Sequence, residues 1–428
     1  MSDWEIIQIN DLVKENQAEL QTGPFGTQIK ASEYIANGIP VINVRNIGYG
    51  SLTDAKLEFL DDKTAERLKV HRLVLDDIVF GRKGAVDRHI LITKKSEQWI
   101  QGSDCLRLRI KSNKLSTKFL SYYFTTNAHK YWMEAQGSFG ATMSSLNQDI
   151  VKRINIPIPP LPIQKKIAAI LSAYDDLIEN NNRRIAILEK MAEEMYREWF
   201  VRLRFPGHEQ VKFNKGIPEG WEVKQLDGFC QTVTDGTHDT PKPTDDGYFL
   251  ITGKNLKNGI VDFEGAYKIS KQDHFNISKR SGLKPGDIIF SNIGTLGSMV
   301  IVTDEVEYSV KNVIIFKAFN NNQSVFLYYM LKEKYILEQL LLYSSGASQQ
   351  FISLTVARKF KILDPGQSLI NLFGKYVLPL HQQKALLVRL NSKLKQTRDR
   401  LLTRLISGKL SLEDLDIQFP PSMTEELE

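Results

Sequence analysis

Polar loops at matching places in the two halves of the sequence carry the side chains best suited to bind a charged polymer. Glycine lets a backbone approach a ligand closely, and hydroxyl groups, lysines and backbone N–H groups suit phosphate oxygens. Arginine, asparagine and glutamine can read guanine or adenine edges in the major groove of DNA. The candidate DNA-binding residues of the first half are Thr27, Gln28, Lys30, Arg45, Asn46, Arg82, Lys83, Ser138 and Thr142. Those of the second half are Thr237, His238, Thr240, Lys242, Lys254, Asn255, Asn292, Ser348, Gln349 and Gln350.

Each of these loops on its own is more typical of an ordinary solvated turn, in which glycine, asparagine and serine are common. Their recurrence in the same order in both halves favours a shared binding role.

Patterns for catalysis do not accompany the loops. The sequence has neither a phosphate-binding loop ending in Gly-Lys-Ser/Thr nor a Gly-x-Gly-x-x-Gly turn, and it has no nucleophile elbow. Its seven histidines are scattered, without a pair at metal-ligand spacing. The acid pairs Asp61-Asp62, Asp76-Asp77 and Asp245-Asp246 fall at predicted turns, so we interpret them as solvated turn residues and not as a nuclease centre.

An internal repeat must position the loops. Gly38–Ile47 resembles Gly247–Leu256, and the core Asp-Ile-aliphatic-Phe occurs at Asp77–Phe80 and again at Asp287–Phe290. Each half therefore has the same plan, with short strands first and helices later, the helices capped by Ser116 and Ser324. The predicted strands are Val41–Val44, Asp77–Phe80, Ile90–Thr93 and Leu106–Ile110, then Phe249–Thr252, Ile288–Ser291, Ser298–Val302 and Val313–Lys317.

A long helix is predicted to follow each set of strands. The first runs from Pro160 to Trp199, and its apolar residues recur in steps of four and three, as a helix–helix seam requires; Asn181 lies on this stripe. The second begins at Pro379, where Pro379–Lys384 echoes Pro160–Lys165. The apolar stripes are Ile163, Ile167, Ile170, Tyr174, Leu177, Ile185, Leu188, Ala192, Met195 and Trp199 in the first helix, and Leu380, Leu387, Leu390, Leu394, Leu401 and Leu405 in the second.

Charge favours pairing of these two helices over the alternative, in which each packs only on its own domain. Residues 162–200 carry six Lys/Arg and seven Asp/Glu, whereas residues 381–410 carry eight Lys/Arg and one acid. Apolar residues left over from the seam, among them the crowded aromatic end of the first helix, are predicted to bind partner subunits. These candidates are Leu188, Met195, Trp199, Leu390, Leu394 and Leu401.

Composition is that of a soluble protein with more than one domain. The 428 residues are 42% hydrophobic and 25% charged, with a net charge of +6 that permits nucleic-acid binding without requiring it. No apolar run approaches the length of a membrane span, the N-terminus lacks a signal-peptide pattern, and the two cysteines lie in apolar surroundings. We therefore expect a cytoplasmic protein with buried thiols and no membrane partner.

The order of the motifs along the chain resembles that of one family, the DNA-specificity subunits of type I restriction–modification systems. The resemblance covers essentially the whole chain, and each motif is short, so that their order carries it. The second half departs from the pattern by lacking Gly-Pro-Phe-Gly. The motifs are Gly23-Pro24-Phe25-Gly26, Arg45-Asn46-Ile47, Pro160-Leu161-Pro162-Ile163-Gln164, Asp235-Gly236-Thr237-His238, Lys254-Asn255-Leu256 and Ser407-Gly408-Lys409.

The resemblance implies an α+β fold, in which two mixed α/β target-recognition domains are separated by two long antiparallel coiled-coil helices in a pseudo-twofold repeat. The expected divisions are 1–157 for the first recognition domain, 158–207 for the central helix and linker, 208–376 for the second recognition domain, and 377–428 for the C-terminal helix and tail. Each recognition domain would read one half of a bipartite double-stranded DNA target, and the helices would set the spacer.

The resemblance also implies that this chain does no chemistry. It would hold two adenine-N6 methyltransferase subunits and, in the complex that cuts DNA, two motor-nuclease subunits. The chain would bind no cofactor, since S-adenosylmethionine, ATP and magnesium would belong to those partners. Two other classes of function stay open from the residues alone. One is a scaffold whose duplicated domains bind proteins, and the other is a divergent stand-alone nuclease.

Overall fold

The computed structural model describes residues 4–25, 28–53, 56–84, 86–137, 145–257, 259–303, 307–344 and 350–424. The chain divides into two compact units. Unit 1 holds residues 1–178 and 394–428, and unit 2 holds residues 179–393. Each division falls inside a long helix, so that both long helices contribute residues to both units.

Unit 1 contains short strands followed by helices, as the sequence predicts. Its strands are β1 (Glu5–Gln8), β2 (Ala18–Thr22), β3 (Ile39–Ile42), β4 (Glu58–Leu60), β5 (Ile78–Gly81), β6 (His89–Leu91), β7 (Ile100–Gln101), β8 (Cys105–Ile110) and β9 (Asn155–Ile158). Its first helices are α1 (Ile9–Lys14), α2 (Asp62–Arg67), α3 (Thr117–Phe124), α4 (Asn127–Gly137), α5 (Gln148–Lys152) and the start of α6 (Leu161–Tyr196).

Unit 2 has the same order of elements, with further short hairpins. Its strands are β10 (Phe213–Asn214), β11 (Ile217–Pro218), β12 (Glu222–Gln225), β13 (Thr232–Asp235), β14 (Tyr248–Ile251), β15 (Leu256–Lys257), β16 (Ile260–Val261), β17 (Lys268–Ile269), β18 (Ile288–Ser291), β19 (Met299–Ile301), β20 (Tyr308–Val310), β21 (Val313–Lys317) and β22 (Lys361–Asp364). Its helices are α7 (Leu226–Phe229), α8 (Lys271–Ser281), α9 (Asn321–Lys332), α10 (Lys334–Leu342), α11 (Leu354–Lys359) and most of α12 (Gln367–Ile406); α13 (Pro421–Thr424) lies in unit 1.

Sheet topology confirms the internal repeat. The four-stranded sheet has the order β2-β8-β5-β6 in unit 1 and β13-β21-β18-β19 in unit 2. The three-stranded sheets β4-β3-β7 and β17-β14-β20 each join one antiparallel and one parallel pair. The two-stranded sheets β1-β9 and β12-β22 also match. All eight predicted strands overlap observed strands. Short apolar runs bounded by turn residues therefore predicted the strands of both units correctly.

A buried ion pair recurs at the same place in both four-stranded sheets. Asp77 is fully buried, accepts a hydrogen bond from Val74 N at 2.9 Å, and is held by two 2.7 Å bonds from Arg109. In unit 2 Asp287 caps the equivalent turn, and Lys317 Nζ lies 2.6 Å from its carboxylate. Asp77 is therefore at a turn, as predicted, but it is not solvated, because its partners replace water.

The two long helices pack antiparallel within each unit. In unit 2, Asn181 donates to Asn391 at 2.8 Å, and further along Glu189 lies 2.5 Å from Lys384. In unit 1, Arg398 Nη1 lies 2.5 Å from Asp175. The pairs Asp175–Arg398 and Glu189–Lys384 are the ionic contacts that an acidic helix beside a basic one predicts.

A tyrosine joins this helix pair to the domain in each unit. Tyr122 of α3 donates to Asp175 at 2.7 Å, so that its hydroxyl and Arg398 share one carboxylate. Tyr329, the matched residue of α9, lies 3.5 Å from Glu189, which Lys384 also contacts. The repeated set of tyrosine, acid and base ties each domain to both long helices.

Three details of the helices differ from the sequence-based expectation. Helix α12 begins at Gln367, and Pro379 lies inside it. The Pro379 segment therefore resembles the start of the first long helix in sequence but does not begin the second one. Ser324 is buried within α9, whose N-cap is Asn320. Ser116 does cap α3, accepting from Phe119 N at 3.3 Å.

The buried side of the helix pair also differs from the predicted stripes at two positions. Leu177 is 53% exposed and its neighbour Ile178 is buried, while Leu390 is 46% exposed and Asn391 is buried. Stripes of this kind alternate steps of three and four, so a shift by one residue is easily made from sequence alone. No helix in the described ranges is both long enough and apolar enough to cross a membrane.

Candidate nucleic-acid interface

The predicted loops of unit 1 converge on one edge of the domain. Strands β2 and β5 both pair antiparallel with β8, so their C-terminal ends lie at the edge where β8 begins. Hydrogen bonds join the loops there, from Gly23 N to Cys105 O at 3.0 Å and from Arg82 N to Asp104 O at 2.8 Å. Gly102 N also bonds to Ile42 O at 2.9 Å, which brings the turn after β3 to the same edge. We call residues 23–25, 28–30, 43–46, 81–84, 102–104 and 145–146 the loop edge of unit 1.

The same convergence occurs in unit 2. Gly236 N bonds to Val313 O at 3.0 Å, Lys311 N bonds to Ile251 O at 2.9 Å, and Ile352 N bonds to Asn292 O at 2.9 Å. We call residues 235–244, 252–255, 291–295, 311–312 and 350–352 the loop edge of unit 2. Loops far apart in sequence thus meet at one edge of each unit.

Two matched glycines are required by the protein's own backbone. A Cβ added to Gly23 would lie 1.9 Å from Gly102 O, and one added to Gly236 would lie 2.4 Å from Val310 O. Such distances exclude any side chain. The sequence predicted that these glycines let the backbone approach a ligand, but the approach is between two loops of the same domain.

The two predicted asparagines Asn46 and Asn255 hold the backbone of their turns. Asn46 Oδ1 accepts from Asn43 N at 3.1 Å, and its amide donates to Thr53 O at 2.9 Å. Asn255 repeats this pattern with Thr252 N at 3.0 Å and Asp262 O at 2.9 Å. Both side chains are buried, so they position the neighbouring Arg45 and Lys254 and are not themselves exposed to a ligand.

Asn292 has a similar structural role. It is 9% exposed, and its amide donates to Ile352 O at 3.0 Å, which fastens the loop after β18 to the segment after α10. In unit 1 the corresponding fastening is the bond from Leu146 N to Arg82 O at 2.8 Å. A polar residue next to a strand end can either stabilise the protein's own loops or bind a ligand. The residue type alone does not show which of these two roles it has.

The predicted cations at the loop edges are exposed or half-buried. Arg45 lies 2.8 Å from Glu58 and Lys83 lies 3.0 Å from Asp104, but about half of each side chain stays in contact with solvent. Arg82 is half-buried. The remaining exposed candidates are Gln28, Lys30, Thr240, Lys242, Lys254 and Gln350. Thr27, Ser138, Thr142, Ser348 and Gln349 lie outside the described residues.

The loop after β13 carries a charged cluster. His238 Nε2 lies 2.9 Å from Asp235 Oδ2, and its Nδ1 lies 3.3 Å from Asn312 Oδ1. The other carboxylate oxygen of Asp235 accepts from Arg280 Nη2 at 2.6 Å. Thr237 is buried and accepts from Asp239 N at 3.1 Å, while Thr240 bonds to Lys311.

Sequence reasoning missed Arg280, Lys311 and Asn312. Arg280 is 45 positions from Asp235 in the chain, and no local pattern links them. The sequence signal that existed was Gly282, which ends α8 in a left-handed conformation with φ of 48° and so marks Arg280 as a residue of the last helical turn.

The thiol of Cys105, next to the loop edge of unit 1, is unreactive. Burial raises the pKa of the Cys105 thiol to about 12, so the thiol stays protonated and donates to Ile42 O at 3.2 Å. Within the described residues no cluster of His, Cys, Asp and Glu has the geometry of a metal site.

The predicted partner-binding residues of the helices are mostly covered. Trp199 is 9% exposed, and it packs among Phe200, Phe373 and Tyr376 in the core of unit 2. Leu188, Met195, Leu394 and Leu401 are half-buried, whereas Leu390 is exposed. The more exposed apolar side chains of the same helices in unit 2 are Ile187, Met191 and Leu386.

A family model matches most of the chain. The model described as "Type I restriction modification DNA specificity domain" matches residues 1–190 and 218–365. The chain is 26% identical over 440 residues to the type I restriction enzyme MjaIX specificity subunit of Methanocaldococcus jannaschii, covering 96% of this chain and 95% of that protein. It is 21% identical to the EcoBI specificity subunit of Escherichia coli, covering 68% and 62% of the two chains.

A solved structure has the same fold. The type I restriction–modification S subunit from M. genitalium matches with a TM-score of 0.60 and 19% sequence identity, covering 94% of this chain and 96% of that one. The two matched segments of the family model each contain one four-stranded sheet and its loop edge.

Proposed function

The chain belongs to the type I restriction–modification DNA specificity family, and from this premise we propose that its two loop edges are the surfaces that read DNA. In this family the subunit selects the target and does not catalyse the reaction. Each unit reads one half of a bipartite sequence, and the long helices set the gap between the halves.

One observation supports the placement of DNA at the loop edges. In each unit, loops from both the four-stranded and the three-stranded sheet meet at the same strand ends, and they carry exposed cations there. Phosphate contacts position a protein on DNA, and base contacts in the grooves specify the sequence. An edge that combines Arg or Lys with amide and hydroxyl groups supplies both kinds.

The partner subunits follow from the same premise. We propose that the chain holds two adenine-N6 methyltransferase subunits and, in the cutting complex, two motor-nuclease subunits, which would bind S-adenosylmethionine, ATP and magnesium. Exposed apolar residues on the helices of unit 2 support a docking surface for the helices of such a partner. They are Ile187, Met191, Leu386 and Leu390. Exposed apolar residues grouped on one pair of helices are typical of an interaction surface.

The first test is the salt dependence of DNA binding by the purified chain. Alanine at Arg45, Arg82, Lys83 and Lys254 should weaken binding to every duplex. Each lost phosphate contact should also reduce the slope of log affinity against log salt by about one, because fewer counterions are released. The measurement is fluorescence anisotropy with mixed-sequence DNA at several salt concentrations.

Alanine at Lys14 and Lys212 is the matched control, since both lysines are exposed and lie outside the loop edges. The control variant should bind like the wild type. Equal affinity and slope for the fourfold loop variant would refute the placement of DNA at these edges.

A further inference from the structure

The two units differ at one set of matched positions in and beside their loop edges. Counting from the paired strands β2–β8 and β13–β21, Thr22 of unit 1 corresponds to Asp235 of unit 2, and Phe25 corresponds to His238. Counting back from the matched aspartates Asp77 and Asp287, Val70 falls where unit 2 has Arg280. Unit 1 thus has neutral side chains where unit 2 has a carboxylate and two basic groups.

Most of these side chains reach the surface. Phe25 is 64% exposed and Val70 is 62% exposed, and neither contributes to the core of unit 1. In unit 2 the side chain of Arg280 is 56% exposed, whereas that of Asp235 is 8% exposed. The buried Asp235 carboxylate therefore binds the guanidinium of Arg280, and the rest of that guanidinium is exposed to solvent.

The pair has two effects. It supplies a partner for the buried Asp235 carboxylate, and it holds the exposed guanidinium of Arg280 in one orientation. Asp235 uses one oxygen for Arg280 at 2.6 Å and the other for His238 at 2.9 Å, so the carboxylate is held from both sides. A guanidinium carries more N–H donors than this contact uses, and its side-chain rotation is restrained before any ligand arrives.

We propose that Arg280 reads a guanine in the half of the target bound by unit 2, with Asp235 as its positioning residue. A planar guanidinium presents two parallel donors to O6 and N7 of guanine, the commonest specific contact in the major groove. Orienting it beforehand lowers the entropy cost of that contact. This inference rests on the proposed function, since it requires the loop edge of unit 2 to face DNA.

The test begins with the chain in its host, together with its own partner subunits. Methylated adenines are mapped genome-wide for the wild type and for Arg280→Ala, Arg280→Lys and Val70→Ala. The wild type should give a bipartite motif. In Arg280→Ala one G·C position of one half should become degenerate, while the other half stays unchanged. Arg280→Lys should show a partial loss, because an ammonium group keeps the charge and can donate to guanine but lacks the planar fork that Asp235 orients. Val70→Ala, the matched control of unit 1, should leave that position intact.

The second measurement uses the purified complex and two synthetic duplexes. One carries the natural guanine at the affected position, and the other carries 7-deazaguanine, which lacks N7. The wild type should bind the modified duplex more weakly, by less than the about 5- to 150-fold expected for loss of a whole bidentate base contact, because O6 remains as an acceptor. Arg280→Ala should not distinguish the two duplexes. Asp235→Ala should discriminate less than the wild type while binding unrelated DNA normally, a change in ratio that a purely structural role of Asp235 would not produce.

The outcomes separate this inference from the proposed function. Absence of any sequence motif dependent on the wild-type chain would refute the proposed function itself. A wild-type motif that persists unchanged in Arg280→Ala would refute only the guanine contact. A motif without a G·C pair in either half would do the same.

Discussion

At the residue scale, neighbouring loop residues divide between fold and surface. Arg45 and Asn46 are adjacent in one turn, as are Lys254 and Asn255 in another. In each turn the asparagine is buried against its own backbone and the cation is exposed. The sequence predicted both turns and their chemistry, because residue types and order were repeated. It could not predict which member faces outwards, since that depends on carbonyl groups seven residues further along the chain.

The histidines of unit 1 provide a prediction about acid stability. His89 is fully buried between Phe80 and Phe124, with Ser121 Oγ at 3.0 Å from Nε2. Burial, reinforced by His129 and Lys130 nearby, lowers the pKa of His89 from 6.5 to about 3. Below pH 6.5 the unfolded chain therefore binds more protons than the folded one, so the free energy of unfolding falls as pH falls from 6.5 towards 3. At pH 5 the loss from this residue is about 2 kcal/mol.

The substitution His89→Met tests this, because Met299 occupies the matched position in β19. The variant should lose less stability than the wild type between pH 7 and pH 5, as measured by urea unfolding followed by circular dichroism. His208→Gln in the linker should keep the wild-type dependence. An unchanged pH slope in His89→Met would show that His89 does not contribute to acid sensitivity.

At the element scale, the sequence predicted that the two long helices pair, but it misplaced some of their buried positions by one residue. The position of Asn181 on the stripe is confirmed, and its bond to Asn391 places a buried amide pair in the contact between the two helices. Such a pair fixes the register of two helices at some cost in stability. The start of α12 was missed because residues Gln367–Val377 have no capping motif, and their helical conformation depends on packing of Ile370, Phe373 and Val377 in the core.

Exposure on these helices gives a prediction about assembly. Ile187 and Leu386 are 58% and 61% exposed, so lysine at either position should leave the fold intact. If the exposed apolar residues bind the methyltransferase subunits, Ile187→Lys combined with Leu386→Lys should abolish co-elution of the partner in size-exclusion chromatography. The cause would be the cost of burying two unpaired charges in an apolar interface.

Gln383→Lys is the matched control, because Gln383 is an exposed polar residue of α12. This control should retain the partner. Binding of the isolated double variant to DNA should equal that of the wild type, which would separate a loss of assembly from a loss of folding. Normal co-elution of the double variant would mean that partners dock elsewhere.

At the scale of the whole molecule, the repeat was the most predictable feature. Two copies of one strand order follow from collinear motifs, since a shared sequence plan requires a shared topology. The cluster of Asp235, His238 and Arg280 could not be predicted in this way, because it occurs in one copy only. The repeat therefore reveals the common scaffold, and the departures from the repeat reveal what distinguishes the two halves of the target.

The long helices carry the last prediction, which concerns the gap between those halves. Both helices pass from one unit into the other, at Ile178–Glu179 in α6 and at Lys393–Leu394 in α12. If they set the gap, lengthening both at these points should lengthen it without changing the bases read. A seven-residue insertion preserves the alternation of three and four on which the helix contact depends. It adds about 10 Å to a helix, which equals about three base pairs of B-DNA.

Methylated sites mapped genome-wide should therefore show the original half-sites with a gap about three base pairs longer. Inserting the heptad in one helix only is the control. That variant could not keep both the Asp175–Arg398 contact on one side of the insertion and the Asn181–Asn391 contact on the other, and we expect it to lose methylation altogether. If the half-sites change while the gap stays the same, the helices do not set the gap. The length of the gap would then depend on the loop edges.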